Sequence, residues 1–192
     1  MRYSAIHITG ASGGGVSTLG KAICEKYGYW HMDTDDYFWV PTDPPFTQKR
    51  EKAELIQTLI GEIHRHSKFV LSGSVTDWGD PLIPYLDLVI LVETPEEVRI
   101  SRLREREYNQ FGKRILPGGD MAEEHEAFIE WARQYDTGDE SIRSRRLHEA
   151  FLKKLSCPWL EVDGTKPIFT LMEEIENFLP SMGKKEMPPV MI

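Results

Sequence analysis

A glycine-rich turn near the start of the chain has residues of the type and spacing that recognise a phosphate group. The stretch GASGGGVST occupies residues 10–18, follows a short apolar run that ends at Thr9, and precedes apolar residues at helical spacing. Glycines let an anion approach the backbone, and the N–H groups at the start of a helix are electropositive. We therefore expect a phosphate cradle made of Gly10, Ala11, Ser12, Gly13, Gly14, Gly15, Val16, Ser17 and Thr18.

The spacing of this segment, called the glycine loop below, matches the P-loop pattern G-x-x-x-x-G-K-[ST] at every position except one. Gly10 and Gly15 are the two glycines, Ser17 is the hydroxyl residue, and Val16 stands where the pattern has lysine. Ser17 is expected to offer its hydroxyl to Mg²⁺, with simple capping of the following helix as the alternative. The lysine normally reaches the terminal phosphates, so the valine leaves open whether the loop transfers a phosphate or only holds one.

Three aspartates follow the predicted second strand and form an acidic cluster, Asp33, Asp35 and Asp36. Asp33 and Asp35 are two positions apart, so an extended segment would place both on one face. A carboxylate there could accept the proton of a substrate hydroxyl or hold a metal-bound water. We favour Asp35 as the catalytic group and metal ligand, and expect Asp33 and Asp36 to contact the substrate. The alternative is an acidic turn without a chemical role.

Arginines are concentrated in the second half of the chain. Arg102 and Arg106 are four positions apart, which places them on one face of a predicted helix. Planar guanidinium groups suit phosphate, so both are expected to clamp the transferred phosphoryl group, and Arg114 is expected at the substrate. The alternative is a solvated helix whose arginines pair with its own glutamates. The other arginines of this region are Arg99, Arg104, Arg133, Arg143, Arg145 and Arg146.

Strand-like and helix-like patterns alternate along the chain, which predicts an α/β fold with a parallel sheet covered by helices on both faces. Strands are expected near residues 5–9, 29–32, 69–72, 87–92 and 159–162. Ligands bind such sheets at the carboxyl ends of the strands. The glycine loop, the acidic cluster, Gly73 and the turn after the fifth strand should therefore meet at one edge, with Gly73 at the substrate.

Two local predictions concern the connections. Residues 37–46, YFWVPTDPPF, are rich in aromatic residues and proline and are expected to form a loop. Thr94 is expected to cap the helix that begins at Pro95, because threonine suits the cap and proline suits the first helical position.

Length and composition are those of one globular domain. The chain has 192 residues and a formal net charge of −8, which argues against a general nucleic-acid-binding role. It has no apolar run of membrane-spanning length and no N-terminal signal pattern, so we expect a cytoplasmic protein with no membrane partner.

Residues 1–179 are expected to form a single domain with a lid near residues 107–145, followed by a mobile tail at residues 180–192. A monomer or a homodimer is expected, with Cys24 and Cys157 as reduced thiols.

Several segments together resemble the P-loop small-molecule, nucleoside and nucleotide kinases, the adenylate-kinase-like and shikimate/gluconate-kinase-like group. The matching segments are ITGASGGGVSTLGKAI at residues 8–23, DTDDYF at 33–38, LDLVILVETPEEVRISRLRERE at 86–107 and WLEVDGTKP at 159–167. The resemblance implies a three-layer P-loop fold with an arginine-rich lid. Because Val16 stands in place of the lysine, the chain also resembles a branch of adenylate-kinase-like ATPases in which this lysine is commonly missing.

The resemblance implies specific ligands and residue roles. ATP would bind in the glycine loop with Mg²⁺ at Ser17, and an acceptor hydroxyl or phosphate would lie near Asp35. Lid arginines Arg102 and Arg106 would close over the transferred phosphoryl group. The last matching segment resembles the loop that wraps an adenine, which implies nucleotide contacts for Gly164 and Lys166.

Three functions remain open at the level of the sequence. The first is a kinase that transfers the γ-phosphate of ATP to a small molecule, nucleoside or nucleotide. The second is a nucleotide-binding regulatory or sensor protein without phosphoryl transfer, because Val16 replaces the lysine. The third is an NAD(P)-dependent oxidoreductase, because TGASGGGV approaches a T-G-x-x-x-G-x-G turn. Val16 also replaces the last glycine of that turn, which argues against the third reading.

Overall fold

A computed structural model describes residues 2–181, and its central element is a parallel β-sheet. The strands of the described part are β1 (Ala5–Gly10), β2 (Trp30–Asp33), β3 (Phe69–Ser72), β4 (Leu88–Glu93) and β5 (Trp159–Asp163). They are arranged in the order β2-β3-β1-β4-β5, and all neighbouring pairs are parallel. The predicted fold class, a five-stranded parallel sheet of the P-loop type, is confirmed.

The helices follow the expected alternation with the strands. They are α1 (Val16–Tyr27), α2 (Thr34–Phe38), α3 (Lys52–Arg65), α4 (Glu96–Phe111), α5 (Ala122–Arg133), α6 (Arg145–Leu152) and α7 (Ile168–Ser181). Short 3₁₀ helices cover Asp80–Tyr85 and Gly112–Ile115. The predicted tail at residues 180–192 begins within α7, and residues 182–192 lie outside the described residues. None of the described helices is both long enough and apolar enough to span a membrane.

Apolar side chains fill the space on both faces of the sheet. On one face, Ile6 and Ile8 of β1 pack with Leu19 of α1 and Ile175 of α7. On the other face, side chains of β3 and β4 pack with Leu55 of α3 and with side chains of α6. A separate small cluster joins α4 to α5. Helix α5 lies within the segment predicted as a lid, residues 107–145, and α4 reaches it only with its last residues. Closure of this segment stays a prediction.

Strand register brings the carboxyl ends of the sheet to one level. Asp33 at the end of β2 pairs with Ser72 of β3, and Gly10 at the end of β1 pairs with Val92 of β4. Glu93 pairs in turn with Asp163 of β5. The glycine loop, the acidic cluster and the turn after β5 therefore emerge side by side, as parallel pairing of these strands predicts.

The structure corrects two local predictions. The first residues of the expected aromatic loop belong to a short helix, because α2 begins at Thr34 with Asp33 as its N-cap. Asp33 and Asp35 are thus not neighbours on an extended face. Thr94 does not cap α4, which has Pro95 at its N-cap position without a side-chain hydrogen bond. The Thr94 hydroxyl donates instead to the carbonyl of Gly14, 3.0 Å away, because the glycine loop lies directly beside it.

Candidate functional site

The glycine loop is held in shape by its own backbone and by the segment after β4. Gly14 N–H donates to the carbonyl of Ala11 at 3.0 Å, and Thr94 holds Gly14 from outside the loop. Gly13 has a φ of 77°, and a Cβ at this position would lie 2.5 Å from the carbonyl oxygen of Arg99. A side chain would therefore be both strained and obstructed. The result is a tight turn that exposes backbone groups ahead of α1.

Ser17 links the glycine loop to the acidic cluster. Its hydroxyl donates to Oδ2 of Asp33 at 2.6 Å, while Oδ1 of Asp33 accepts the N–H of Asp35 at 3.1 Å. The alternative that Ser17 caps α1 is wrong, since the N-cap of α1 is Gly15 and Ser17 lies inside the helix. One aspartate thus orients the serine hydroxyl and starts α2, which places Asp35 next to the loop.

Asp35 contributes to the wall of a large cleft that opens in front of the glycine loop. Desolvation raises the pKa of this carboxyl above its ordinary value, and the charge of Asp33 adds to the rise. The guanidinium groups of Arg143 and Arg106 oppose it, which places both cations near the carboxylate. A carboxylate with a raised pKa is a stronger proton acceptor than an ordinary aspartate.

The two arginines predicted as phosphate clamps both line this cleft. Nη1 of Arg102 donates to the carbonyl of Gly164 at 3.0 Å and lies 3.7 Å from the position that a Cβ on Gly15 would occupy. Nη2 of Arg106 is 3.4 Å from Oε1 of Glu107. Arg102 therefore connects the glycine loop to the turn after β5, and Arg106 lies beside Glu107, which also lines the cleft.

Arg143 is the cleft residue that sequence reasoning underestimated. Its Nη1 lies 3.4 Å from Oγ of Ser12, in the middle of the glycine loop, and its guanidinium lies over the ring of Trp131 at 5.5 Å. It precedes α6 and is 131 positions away from Ser12. No spacing pattern could have indicated this contact. The only sequence signal was its membership of the arginine-rich region.

Other arginines of that region have structural roles. Arg99 is fully buried, donates to the carbonyls of Thr94 and Ala132, and pairs with Asp136 at 2.7 Å. Arg145 pairs with Glu93 at the end of β4. Because these cations are bound by protein acceptors, Arg99 fixes α4 to α5 and to the segment that follows it, and Arg145 fixes α6 to the end of β4.

Several predicted ligand residues lie elsewhere. Arg114 pairs with Asp120 at 2.7 Å and with Asp43 at 3.0 Å, and Nζ of Lys166 pairs with Glu174 at 2.6 Å. Neither residue lines the cleft, and the same is true of Asp36 and Gly164 among the described residues. Their roles in ligand binding stay predictions.

Gly73 does line the cleft, and its immediate environment gives it a packing role. A Cβ there would lie 1.9 Å from Oγ1 of Thr34, so only glycine lets α2 approach the end of β3 this closely. Contact of Gly73 with a substrate stays a prediction.

The cleft has a volume of about 1380 Å³, and aromatic side chains contribute to its lining. This volume exceeds the usual range for a small-molecule site, roughly 300–1,000 Å³. It therefore has room for two ligands side by side. The aromatic residues of its wall are Phe38, Trp39, Phe46, Trp78, Phe111, Phe128 and Trp131.

One known protein family matches the N-terminal part of the chain, which contains the glycine loop. A family model described as an AAA domain matches residues 6–130, which include the glycine loop, Asp33, Asp35 and both cleft arginines of α4. The chain belongs to this AAA domain family. The chain is also similar, along nearly its whole length, to the uncharacterized protein YqaC of Bacillus subtilis (strain 168). The two are 40% identical over 176 residues, which are 92% of this chain and 97% of YqaC.

Solved structures similar in fold to this AAA domain protein include two small-molecule kinases. Shikimate kinase from Acinetobacter baumannii in complex with shikimate has a TM-score of 0.56 at 16% identity, with 94% of each chain covered. Deoxyadenosine kinase from M. mycoides has a TM-score of 0.52 at 16% identity, covering 93% of this chain and 100% of that one. At this identity the similarity concerns the fold. The predicted resemblance to the P-loop kinase-like group is confirmed, and the chain is a P-loop protein of the nucleotide-binding type.

Proposed function

We propose that this protein is an ATP- and Mg²⁺-dependent kinase that transfers the γ-phosphoryl group to a small-molecule, nucleoside or nucleotide acceptor. The observation that carries the proposal is the hydrogen bond of 2.6 Å between Ser17 and Asp33, with Asp35 beside it in the same cleft. Asp33 also accepts the N–H of Asp35 at 3.1 Å, so the contact links the glycine loop to the residue that can accept a proton.

The donor set suits Mg²⁺ bound together with a nucleotide. Among the described residues no group of three or more histidine, cysteine, aspartate or glutamate side chains could hold a metal alone. Mg²⁺ keeps several waters and is commonly bound through one or two protein oxygens plus phosphate oxygens. Ser17 and Asp33 could supply such oxygens, and Asp35, the ligand predicted from the sequence, lies next to them. When bound, Mg²⁺ would neutralise charge on the phosphate oxygens.

Asp35 is the best candidate for activating the acceptor. In the proposed reaction its carboxylate accepts a hydrogen bond from the acceptor hydroxyl and takes the proton as the new O–P bond forms. The bond between the γ-phosphorus and the β–γ bridging oxygen of ATP breaks in the same transfer, and ADP leaves. The raised pKa of Asp35 suits this role because the pKa of a general base should lie close to the pH at which the protein works. Backbone N–H groups of the glycine loop would orient the phosphates of ATP, while Arg102 and Arg106 would bind the phosphoryl oxygens from above.

A second candidate function rests on the position of Val16. Its side chain is only 8% exposed and belongs to the apolar core beneath the glycine loop. The loop therefore presents no cation of its own to the terminal phosphates. This supports the alternative of a nucleotide-binding regulatory or sensor protein in which the cleft holds ATP without transferring its phosphate.

Purified protein distinguishes the two functions. The kinase predicts sustained, Mg²⁺-dependent ADP formation that requires an acceptor, measured across nucleosides, nucleoside monophosphates and hydroxylated small acids. The Asp35→Asn variant should lose this activity while still binding ATP. Tight ATP binding with no turnover across the panel would overturn the kinase and support the sensor.

The proposal also includes a cytoplasmic location and a monomeric or homodimeric state, which cell fractionation and light scattering would test.

A further inference from the structure

The cation that the glycine loop lacks at Val16 has a candidate substitute elsewhere in the fold. Val16 is mostly buried, one of its methyl groups lies 3.3 Å from the position of a Cβ built on Gly10, and its apolar side chain offers no charge to the cleft that it lines. A substitute must therefore reach the open side of the loop from another element. Four of the described arginines line the cleft, and one of them, Arg50, pairs with Glu54 at 2.9 Å. The other three are Arg102, Arg106 and Arg143.

These three arginines differ in what their guanidinium groups already bind. Arg102 donates to the carbonyl of Gly164, and Arg106 lies near Glu107. Arg143 forms no ion pair with any described carboxylate, and its nearest polar partner is the neutral hydroxyl of Ser12 at 3.4 Å. Its positive charge is thus directed at the middle of the glycine loop and is not cancelled there.

The surroundings of Arg143 hold its guanidinium in place without neutralising it. The ring of Trp131 lies under it at 5.5 Å, a cation–π contact that restricts the group while leaving its N–H donors free. Desolvation by burial lowers the pKa of Arg143, and the negative charges of Asp35 and Asp33 oppose this shift. Arg143, Ser12 and Asp35 line the same cleft.

We propose that Arg143 binds the terminal phosphates of ATP in place of the missing P-loop lysine. This inference rests on the proposed ATP site, because it assigns a residue to that site. A guanidinium can bind two phosphate oxygens at once, whereas lysine acts as a point charge. The positive charge therefore reaches the glycine loop from the segment before α6 and not from within the loop.

Titration calorimetry with ATP, ADP and AMP in the presence of Mg²⁺ tests the assignment. Arg143→Gln should weaken ATP and ADP binding by about ten- to a hundred-fold, the usual effect of losing a charge-assisted contact, and leave AMP binding nearly unchanged. Arg143→Met, which keeps the apolar stem on Trp131, should behave like the glutamine variant. Arg146→Gln, an exposed position nearby on α6, is the matched control and should bind like the wild type.

A rescue variant separates phosphate binding from packing. Val16→Lys combined with Arg143→Gln should recover part of the lost ATP affinity, since the lysine restores the charge from inside the loop. Wild-type ATP affinity in folded Arg143→Gln and Arg143→Met would overturn the assignment and leave the proposed function intact. Failure of the wild-type protein to bind ATP at all would overturn the proposed function, and the assignment with it.

Discussion

At the scale of single residues, the proposed chemistry depends on the different environments of two neighbouring aspartates. Asp33 accepts a hydrogen bond from Ser17 at one oxygen and from the N–H of Asp35 at the other. Asp35 faces the cleft, and desolvation there raises its pKa. Two carboxylates with different surroundings can divide the work of orienting one group and accepting a proton from another.

Asp35→Asn should lower kcat by about a hundred- to ten-thousand-fold, the usual contribution of general base catalysis, with ATP affinity retained. The wild-type rate should fall as pH decreases, with an inflection above the ordinary aspartate pKa of 3.8, because protonated Asp35 cannot accept the proton. Rate–pH profiles and calorimetry measure both effects. Asp80→Asn, which removes a surface pair with Lys154, is the control. An unchanged rate in Asp35→Asn would remove the base from the mechanism.

Val16→Lys should raise turnover, because a lysine at this position would add the charge that the P-loop pattern lacks. It should also lower the free energy of unfolding by on the order of 1 kcal/mol, since buried valine packing is lost. Val16→Ala should show the destabilisation without the gain in rate, which separates packing from charge. If Val16→Lys folds, binds ATP as before and gains no activity, the valine is not what limits transfer.

At the scale of elements, the glycine loop depends on how closely α1 packs against β3. Gly20 lies inside α1, and a Cβ there would be 2.1 Å from Oγ of Ser72 and 3.0 Å from Nε2 of His31. Ser72 and His31 also hydrogen-bond to each other at 3.0 Å. Glycine at this position lets the helix that carries Ser17 lie directly on the strands that end beside Asp33.

Gly20→Ala should destabilise the protein by about 1–3 kcal/mol, because the methyl group overpacks the contact between α1 and β3. It should also weaken ATP binding, since a displaced α1 moves the glycine loop. Gly61→Ala is a matched control within α3, where a Cβ meets nothing within 4 Å. That variant should gain up to about 1 kcal/mol from helix propensity. Denaturant unfolding curves compare the two, and equal stability of both variants would contradict this account.

At the scale of the whole molecule, two buried histidines couple folding to pH. His7 of β1 and His148 of α6 are fully buried. Burial lowers the pKa of His7 to about 4 and that of His148 to about 3, from an ordinary value of 6.5. Both are neutral in the folded protein at pH values where the unfolded chain takes up a proton. Acid therefore favours the unfolded state below pH 6.5 and down to the folded pKa values.

The free energy of unfolding should fall with decreasing pH from 6.5 toward 4, each histidine adding up to about 1.4 kcal/mol per pH unit to the slope. His148→Gln should make this slope smaller, because one titrating group is removed. His64→Gln, at an exposed position of α3, should leave it unchanged. Urea unfolding at a series of pH values measures the slopes. Identical slopes in the wild type and His148→Gln would show that this histidine is not the acid-sensitive group.

Much of the fold and part of the site followed from local patterns. The apolar runs located all five strands to within two residues. The glycine loop and Ser17 were recognisable because a phosphate cradle consists of consecutive backbone groups. The helix α2 was missed because the aromatic residues and prolines after it favour a loop, whereas its start depends on the cap at Asp33.

The sequence by itself determined the glycine loop, the alternation of strands and helices along the chain and the absence of the usual lysine, since each depends on consecutive residues. Only the tertiary structure decided which carboxylate meets Ser17, which arginines are bound by protein acceptors, and that Arg143 reaches Ser12 across 131 positions. Spacing along a chain dictates backbone conformation and the face of an element. The meeting of distant side chains depends on how the strands are ordered in the sheet and how the helices pack on it. The glycine loop could therefore be predicted, and the cation that we propose for it could not.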